Sequence, residues 1–452
     1  MKIDVLVAEI GSTTTVVNAF QIHQEPVAFL GRGMSQTTVD TDVREGLENA
    51  IKDLEKNLNV DHIFYGELLS SSSAAGGLKM TVHGLVYEMT AKAAKEAALN
   101  AGGNIHLITA NRLDEDHIEK IKKIKPNIIL IAGGTDYGEK EVAYQNLIDV
   151  AKLNIPMIYT GNIANHERIK KLGFSHVRII ENVYPRVDDF NIMPLREAIY
   201  ETFEKHIIEA KGMQDIFKMV NHVIIPTPGA VMETTLLLDD LFDGVMTIDV
   251  GGATTDIHSV SSPKHEYERM LEGEPKMKRS VEGDLGVYIN RVQVLNTYKE
   301  DEIKRIFKMD KEDVLKILTD EPYIPQTEKG KLAIDLLTSR CVELAIDRHA
   351  GDLKRIFTTN GYKVIPEGKD LSQVKAIFLT GGALLHMRLK EEMIRHYLQS
   401  RPTKLVPDEH VEIYLDQDYI FASLGVLSRV YPDQAKELIV KSIKKVGDVD
   451  VS

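Results

Sequence analysis

The chain has 452 residues, 43% hydrophobic and 27% charged, an ordinary globular composition with room for about two to four domains. Its net charge of −13 argues against a nucleic-acid or membrane-surface partner, either of which would select a basic patch. The single cysteine, Cys341, excludes a disulfide framework and any cluster held by the chain's own cysteines, and fits a reducing cytosol.

The N-terminus, MKIDVLVAEIG, reads as a strand and not as a signal peptide. No apolar run approaches the roughly 18 residues of a membrane span. A soluble, cytoplasmic protein is expected. Residues 3–10, 14–22 and 27–33 read as three strands joined by short turns. Residues 42–58 form an amphipathic helix with Val43, Leu47, Ile51, Leu54 and Leu58 on one stripe. Residues 63–69 form a strand that runs into a serine-rich, small-residue stretch at 71–77. Apolar strands on both sides favour close backbone packing there over a flexible linker.

From residue 88 helices and short apolar strands alternate. Helices at 88–100, 114–124, 139–151 and 165–172 precede strands at 105–109, 127–132, 156–159 and 176–180. This rhythm predicts a doubly wound parallel insert over about 88–182, covered on both faces. Two of its turns stand out, Gly133–Gly138 and Thr160-Gly161-Asn162. Either they are plain βα turns, or they form a second ligand or partner site beyond the carboxyl ends of the strands.

Residues 193–211 read as a helix and 223–225 as a strand. Thr227-Pro228-Gly229 leads into a helix at 230–239. Two strands follow around Asp249. Glu282-Gly283-Asp284-Leu285-Gly286 is expected to open a helix near 287–295, as a helix cap or as a loop reaching a metal–phosphate. Helices come next near 299–309 and 330–350. A strand at 376–379 ends in Thr380-Gly381-Gly382-Ala383 before another helix. Residues 421–430 are a last apolar helix, and 436–445 read as a solvated charged tail.

One local pattern occurs twice. Glu9-Ile10-Gly11-Ser12-Thr13-Thr14-Thr15 aligns without a gap over Asp249-Val250-Gly251-Gly252-Ala253-Thr254-Thr255. Each is an acid, a glycine turn and a Thr-Thr pair between two strands. A carboxylate at a strand end can hold a hydrated divalent cation. Glycine allows close backbone approach, and turn amides with hydroxyls can cradle phosphate. No Walker loop is present, and β-branched residues after the glycine favour a strand over a helix. A single copy is as well explained by an ordinary glycine hairpin; two copies in register are not.

The order of these motifs resembles the actin–hexokinase–Hsp70-type ATPase superfamily. The resemblance implies a two-lobed α/β fold with ribonuclease H-like lobes and the doubly wound region inserted in the first. It places the first lobe at 1–240, the second at 241–420, and a C-terminal helix and tail returning to the first lobe at 421–452. Glu9, Gly11, Ser12, Thr13 and Thr14 match the phosphate-1 motif. Asp249, Gly251, Gly252, Ala253, Thr254 and Thr255 match phosphate-2. Gly381, Gly382 and Ala383 match the adenosine loop, and Gly283 and Asp284 lie in the Glu-Gly-Asp loop. Ala230 and its neighbours match the first connecting helix, and Ala422 to Leu427 the second. The resemblance implies ATP and Mg²⁺ as cofactors, bound between the lobes, with Glu9 and Asp249 holding the metal through water and organising catalysis. Two departures are plain: Glu9 stands where aspartate is usual, and Thr227 stands before Pro228 where glutamate is often found.

A narrower resemblance covers nearly the whole chain. DVLVAEIGSTTTVVNAF, IILIAGGTDYG, IDVGGATTDIHSV and FLTGGAL are similar to the glutamate mutase (methylaspartate mutase) accessory family, GlmL or MutL, a name shared with an unrelated mismatch-repair protein. It implies an ATP-driven reactivating protein that exchanges damaged cobalamin on an adenosylcobalamin-dependent mutase or aminomutase, with or without a small second subunit. The alternatives are a small-molecule kinase of the same fold, an iron–sulfur dehydratase activator, and a non-catalytic actin-like scaffold. No general base for a phosphoryl acceptor is evident, the chain has no Trp to build a sugar platform, and Cys341 alone could not complete a cluster.

Overall fold

β1 (Lys2–Ile10) is apolar along most of its length because both of its faces are covered, the signature of a central strand. The computed structural model describes residues 1–11, 14–37, 42–73, 78–187, 189–207, 212–271, 274–358, 361–388 and 390–447. It divides the chain into two compact units, Met1–Thr234 with Ile420–Ile439, and Thr235–Tyr419 with Val440–Ser452.

In the first unit β1 pairs antiparallel with β2 (Thr14–Gln21), which pairs antiparallel with β3 (Ala28–Gln36). On its other side β1 runs parallel to β4 (Phe64–Ser72). The helix Val43–Asn57 is capped by Asp42, whose carboxylate accepts from the Arg44 amide. It buries Val43, Leu47, Ala50 and Leu54. It presses so close to β3 that a Cβ on Gly33 would lie 2.0 Å from the Ala50 carbonyl.

The serines at 70–72 belong to β4 and are buried. Ser70 and Ser72 hydroxyls donate to the Ala8 and Ile10 carbonyls of β1 at 2.9 and 3.1 Å. Close backbone packing is therefore the role of this part of the serine run. The rest of it, at 74–77, lies outside the described residues.

The insert is a five-stranded, wholly parallel sheet. Its strands are β5 (Leu78–Gly84), β6 (Gly103–Ala110), β7 (Ile128–Ile131), β8 (Met157–Tyr159) and β9 (Val177–Ile179), in the order β6-β5-β7-β8-β9. β5 sits inside that sheet, yet it lies before residue 88, where the alternating rhythm of the sequence begins. Lys79, Thr81 and His83 interrupt its apolar residues, and the sheet buries Thr81 and His83 completely. Helices Glu115–Ile124, Glu141–Ala151 and His166–Lys170 lie close to the expected positions. The first, Lys92–Asn100, is preceded by a π-turn at Tyr87–Ala91. β10 (Ile225–Pro226) then completes the first sheet, parallel to β4.

The second unit repeats the first sheet. β11 (Val245–Val250) pairs antiparallel with β12 (Thr255–Val260), and β12 antiparallel with β13 (Met277–Glu282). A hairpin follows, β14 (Asp352–Thr358) with β15 (Gly361–Glu367). β11 runs parallel to β16 (Ala376–Thr380), and β16 parallel to β17 (Glu412–Asp416). β18 (Ile443–Lys445) adds an antiparallel edge.

Read from its third strand, each sheet has the order 3-2-1-4-5 with the same strand directions. That is the ribonuclease H-like arrangement, present once in each unit. Below the second sheet, helix Glu328–His349 buries Leu337, Cys341, Val342, Ala345 and Ile346.

Two expectations change. The loop after β13 opens no helix at residue 287: its chain turns through 283–290, and a six-residue helix starts at Arg291. Residues 436–445 are no solvated tail. Helix Pro432–Ser442 buries Ala435, Leu438 and Ile439, and β18 pairs with β17. The apolar positions are sparse among the charges, so the stretch reads as polar although one side of it is covered.

Candidate functional site

Each acid is the next-to-last residue of the central strand of its own sheet. In the first unit Glu9 lies opposite Val16 of β2 and Ser71 of β4. In the second, Asp249 lies opposite Asp256 of β12 and Thr380 of β16. Both acids are half-buried. Both turns close in the same way: the Gly11 amide donates to the Thr14 carbonyl at 3.0 Å, and the Gly251 amide to the Thr254 carbonyl at 2.9 Å. The gapless match between the motifs thus extends to the register and to this closing hydrogen bond. Ser12 and Thr13 lie outside the described residues.

Glu9 is held from one side. Ser423 Oγ donates to Glu9 Oε1 at 2.5 Å, and Asn18 Nδ2 to the same oxygen at 3.2 Å. Asn18 Nδ2 also donates to Ser423 Oγ at 2.8 Å. Ser423 comes from helix Phe421–Ser428. That helix crosses Thr227–Phe242 so tightly that a Cβ on Gly425 would lie 1.8 Å from the Ala230 carbonyl. The Thr234 hydroxyl donates to the Phe421 carbonyl across the crossing. These are the two helices that the resemblance marks as connectors, and their small residues serve this contact. At the start of the first helix, Thr227 places its hydroxyl 3.4 Å from Ser71, the β4 neighbour of Glu9.

Asp249 is framed by two loops. From β16, Gly381 adopts φ +93°, and a Cβ there would lie 2.5 Å from Asp249 Oδ1. Only glycine lets this loop approach so closely. From β13, the segment 283–290 binds the carbonyl side of the turn. The Tyr288 and Ile289 amides donate to the Gly252 carbonyl at 2.9 and 2.8 Å, and Asn290 Nδ2 to the Ala253 carbonyl at 2.7 Å. In a trans peptide the C=O and N–H point in opposite directions. The amides of Ala253 and Thr254 are therefore turned away from that segment. The Tyr323 ring lies over Gly252, edge-on to Tyr288 with centroids 5.0 Å apart.

The threonines divide. Thr255 is fully buried, and its hydroxyl donates to the Leu285 carbonyl at 2.7 Å. It braces the turn and offers nothing at its surface. Thr254 donates to Asp256 Oδ2 at 3.2 Å. Asp256 in turn accepts from buried Arg279, Nε at 3.1 Å and Nη2 at 2.5 Å. Asp284 is fixed by Arg348 at 2.7 and 2.9 Å, a contact that lowers its carboxyl below the usual range, and Arg348 also reaches Glu282 at 2.6 Å. Gly283 and Gly382 face open space where a Cβ would be. Ser423, Asn18, Arg279, Arg348 and Tyr323 are absent from the sequence-derived set. Arg279, Arg348 and Tyr323 come from other elements and no motif marks them; Asn18 lies on β2 within the first acid hairpin and Ser423 within the second connecting helix, but neither pattern singles the residue out.

The two turns of the insert lie beyond the carboxyl ends of β7 and β8, and their polar groups hold each other. Asn162 accepts from the Tyr137 and Ala164 amides and donates to the Gly138 and Glu139 carbonyls, which fills its capacity. Asp136 accepts from the Ile163 amide and from Asn182.

The fold and the site together define the class: an α/β protein with a ribonuclease H-like sheet repeated in each unit and an acid–glycine turn on the central strand of each. The family described as MutL protein matches residues 5–443, and the chain belongs to it. The chain is also similar to Protein MutL of Clostridium tetanomorphum, 33% identical over 98% of this chain and 99% of that one. Among solved structures it resembles nucleotide-free acetone carboxylase at 12% identity, over 94% of this chain and 70% of that one, with a TM-score of 0.40. It also resembles a propionate kinase from Francisella tularensis subsp. tularensis SCHU S4 at 10% identity, over 93% and 98%, with a TM-score of 0.28. At these identities and scores the case for the fold stays with the chain's own strand order.

Proposed function

We propose that this chain is an ATP-dependent reactivating accessory protein for an adenosylcobalamin-dependent mutase or aminomutase, and that ATP binding and hydrolysis drive the exchange of damaged cobalamin. One observation carries the ATP part of this reading: the acid–glycine turn occurs at the same strand position of the same sheet in both units. The mutase part rests on the family to which the chain belongs.

The residues present fit Mg²⁺ and a nucleotide. Among the described residues no group of three or more His, Cys, Asp or Glu could form a closed metal cage. Mg²⁺ does not need one: it keeps several waters and is held by one or two carboxylates together with phosphates. Glu9 and Asp249 are the carboxylates in question. The nucleotide would supply the phosphoryl group to be cleaved. The chain's own part is electrostatic and positional. Asp249 would hold the hydrated cation, and the amides of Ala253 and Thr254 would offer donors to the phosphate. Gly381 keeps the β16 loop against the acid, and Ser423 with Asn18 fixes the direction of Glu9.

The test is an activity time course on a mutase inactivated during turnover, with this chain, ATP, Mg²⁺ and fresh adenosylcobalamin. Activity should return only when all are present, and ADP should not support a full cycle. Equal recovery without the chain, or unchanged recovery with a non-hydrolysable analogue, would overturn the proposal.

A further inference from the structure

The β14–β15 hairpin is a two-stranded ribbon whose base is fixed and whose described outer side chains are exposed. At the base the Leu353 amide donates to the Thr403 carbonyl at 2.7 Å, Lys404 pairs with Asp352 at 3.1 Å, and Pro366 is buried. Farther out, Phe357 and Tyr362 face each other in register, with ring centroids 5.4 Å apart and an edge-on angle of 73°. Each is 78% exposed. Val364, on the same face two residues along, is 49% exposed, and its cross-strand neighbour is exposed Arg355. Two such aromatic rings in water are unfavourable in an isolated protein, and an isolated two-stranded ribbon has little else to stabilise it.

Charge separates in the same place. Residues 353–366 contain Lys354, Arg355 and Lys363 and no acid, in a chain of net charge −13. Lys354 pairs with Glu367 at the base, while Arg355 lies exposed on the face of the aromatic pair and Lys363 lies exposed on the opposite face, across from Ile356. Aromatic anchors with an adjacent arginine are the composition of binding hot spots, and cations around them select an acidic surface.

We propose that this ribbon is a docking element: it inserts the Phe357–Tyr362 pair into an apolar recess on an acidic face of the protein that this chain serves. The proposal rests on the reading of the chain as a mutase accessory protein. It assigns the ribbon, and neither acid turn, to recognition of that partner.

The experiment immobilises the full chain and measures binding of adenosylcobalamin-dependent glutamate mutase holoenzyme. Two double variants are compared with the unaltered chain: Phe357→Ser with Tyr362→Ser, and Arg355→Glu with Lys363→Glu. The unaltered chain should bind, with an association rate that falls as salt rises. Both variants should weaken binding by about tenfold or more, the loss expected of hot-spot residues. Their Mg-ATP binding heats should match the unaltered chain, which reports that the unit carrying the ribbon is intact. If the unaltered chain binds and both variants bind equally well, the ribbon proposal fails and the accessory reading stands. If the unaltered chain binds no mutase, both fail. If the variants instead turn an oligomer of this chain into a monomer, the occupant is a second copy and the proposal is overturned.

Discussion

Ser423 Oγ reaches Glu9 Oε1 at 2.5 Å across 414 positions of sequence, so the first acid turn is completed by a helix from the far end of the chain. A hydroxyl donating to a carboxylate forms a charge-assisted bond, stronger than a neutral one. Buried Asn18 bridges the same two groups. Replacing Ser423 with Ala removes both the donor to Glu9 and an acceptor for Asn18. We expect a loss of about 1.5–3 kcal/mol, read as a shift in the urea midpoint of the first unit. A midpoint within error of the unaltered chain would mean that water replaces the hydroxyl at no cost.

Asp249→Asn retains volume and removes charge. ATP hydrolysis should fall by roughly two orders of magnitude or more, the scale for losing one preorganised electrostatic group. The melting temperature should barely move, because Asp249 is only half-buried and stands next to the last residue of its strand. Near-normal turnover in this variant would shift the role to Glu9, Asp256 or Asp284.

Gly381 gives a steric test of the same site. At φ +93° an alanine is strained, and its Cβ would lie 2.5 Å from Asp249 Oδ1. Gly381→Ala should destabilise the second unit by about 1–3 kcal/mol and reduce hydrolysis by displacing the acid. Gly283→Ala is the comparison for stability, since nothing lies within 4 Å of a Cβ there. Equal stabilities for the two variants would contradict the close approach of the β16 loop.

Two histidines make stability depend on pH. Burial, and to a smaller extent the charge of His117, pushes His83 down to about 3; burial, and then Arg279, drives His258 well below the ordinary 6.5. Both are neutral when folded, and His83 lies between the hydroxyls of Thr109 and Thr81 at 2.7 and 3.0 Å. Below pH 6.5 the unfolded chain takes up protons that the folded chain does not, so stability falls as pH falls. For a group shifted from 6.5 to about 3, the loss between pH 7 and 5 is about 2 kcal/mol. His83→Gln should flatten the dependence of the urea midpoint on pH over that range, and an unchanged slope would refute the assignment.

Much of the fold is legible because local pattern and tertiary role agree. The apolar runs around Glu9 and Asp249 read as strands and are strands. The helices after β6, β7 and β8 follow the periodicity of their buried stripes. β5 escapes because Thr81 and His83 bond inside the sheet and break the apolar run that would announce it. β13 is hidden for the same reason: Lys278 and Arg279 are buried, and the Arg279 charge is matched by Asp256. The acid turns are legible because glycine and acid spacing is a local signal. Ser423 and Arg348 reach the turn regions through tertiary contacts, which a linear motif does not encode, and Asn18 reaches Glu9 across the hairpin from β2. Thr255 shows the opposite error, a motif residue whose hydroxyl faces the interior.

The most direct test of the central claim, that the acid turns bind nucleotide phosphate with Mg²⁺, is calorimetric titration of the full chain with ATP in the presence and absence of Mg²⁺. The account predicts saturable heat with Mg-ATP, much weaker binding without the metal, and loss of that metal dependence in both Glu9→Gln and Asp249→Asn. A chain that gives no heat with saturating Mg-ATP, or whose binding is indifferent to both substitutions, would contradict it.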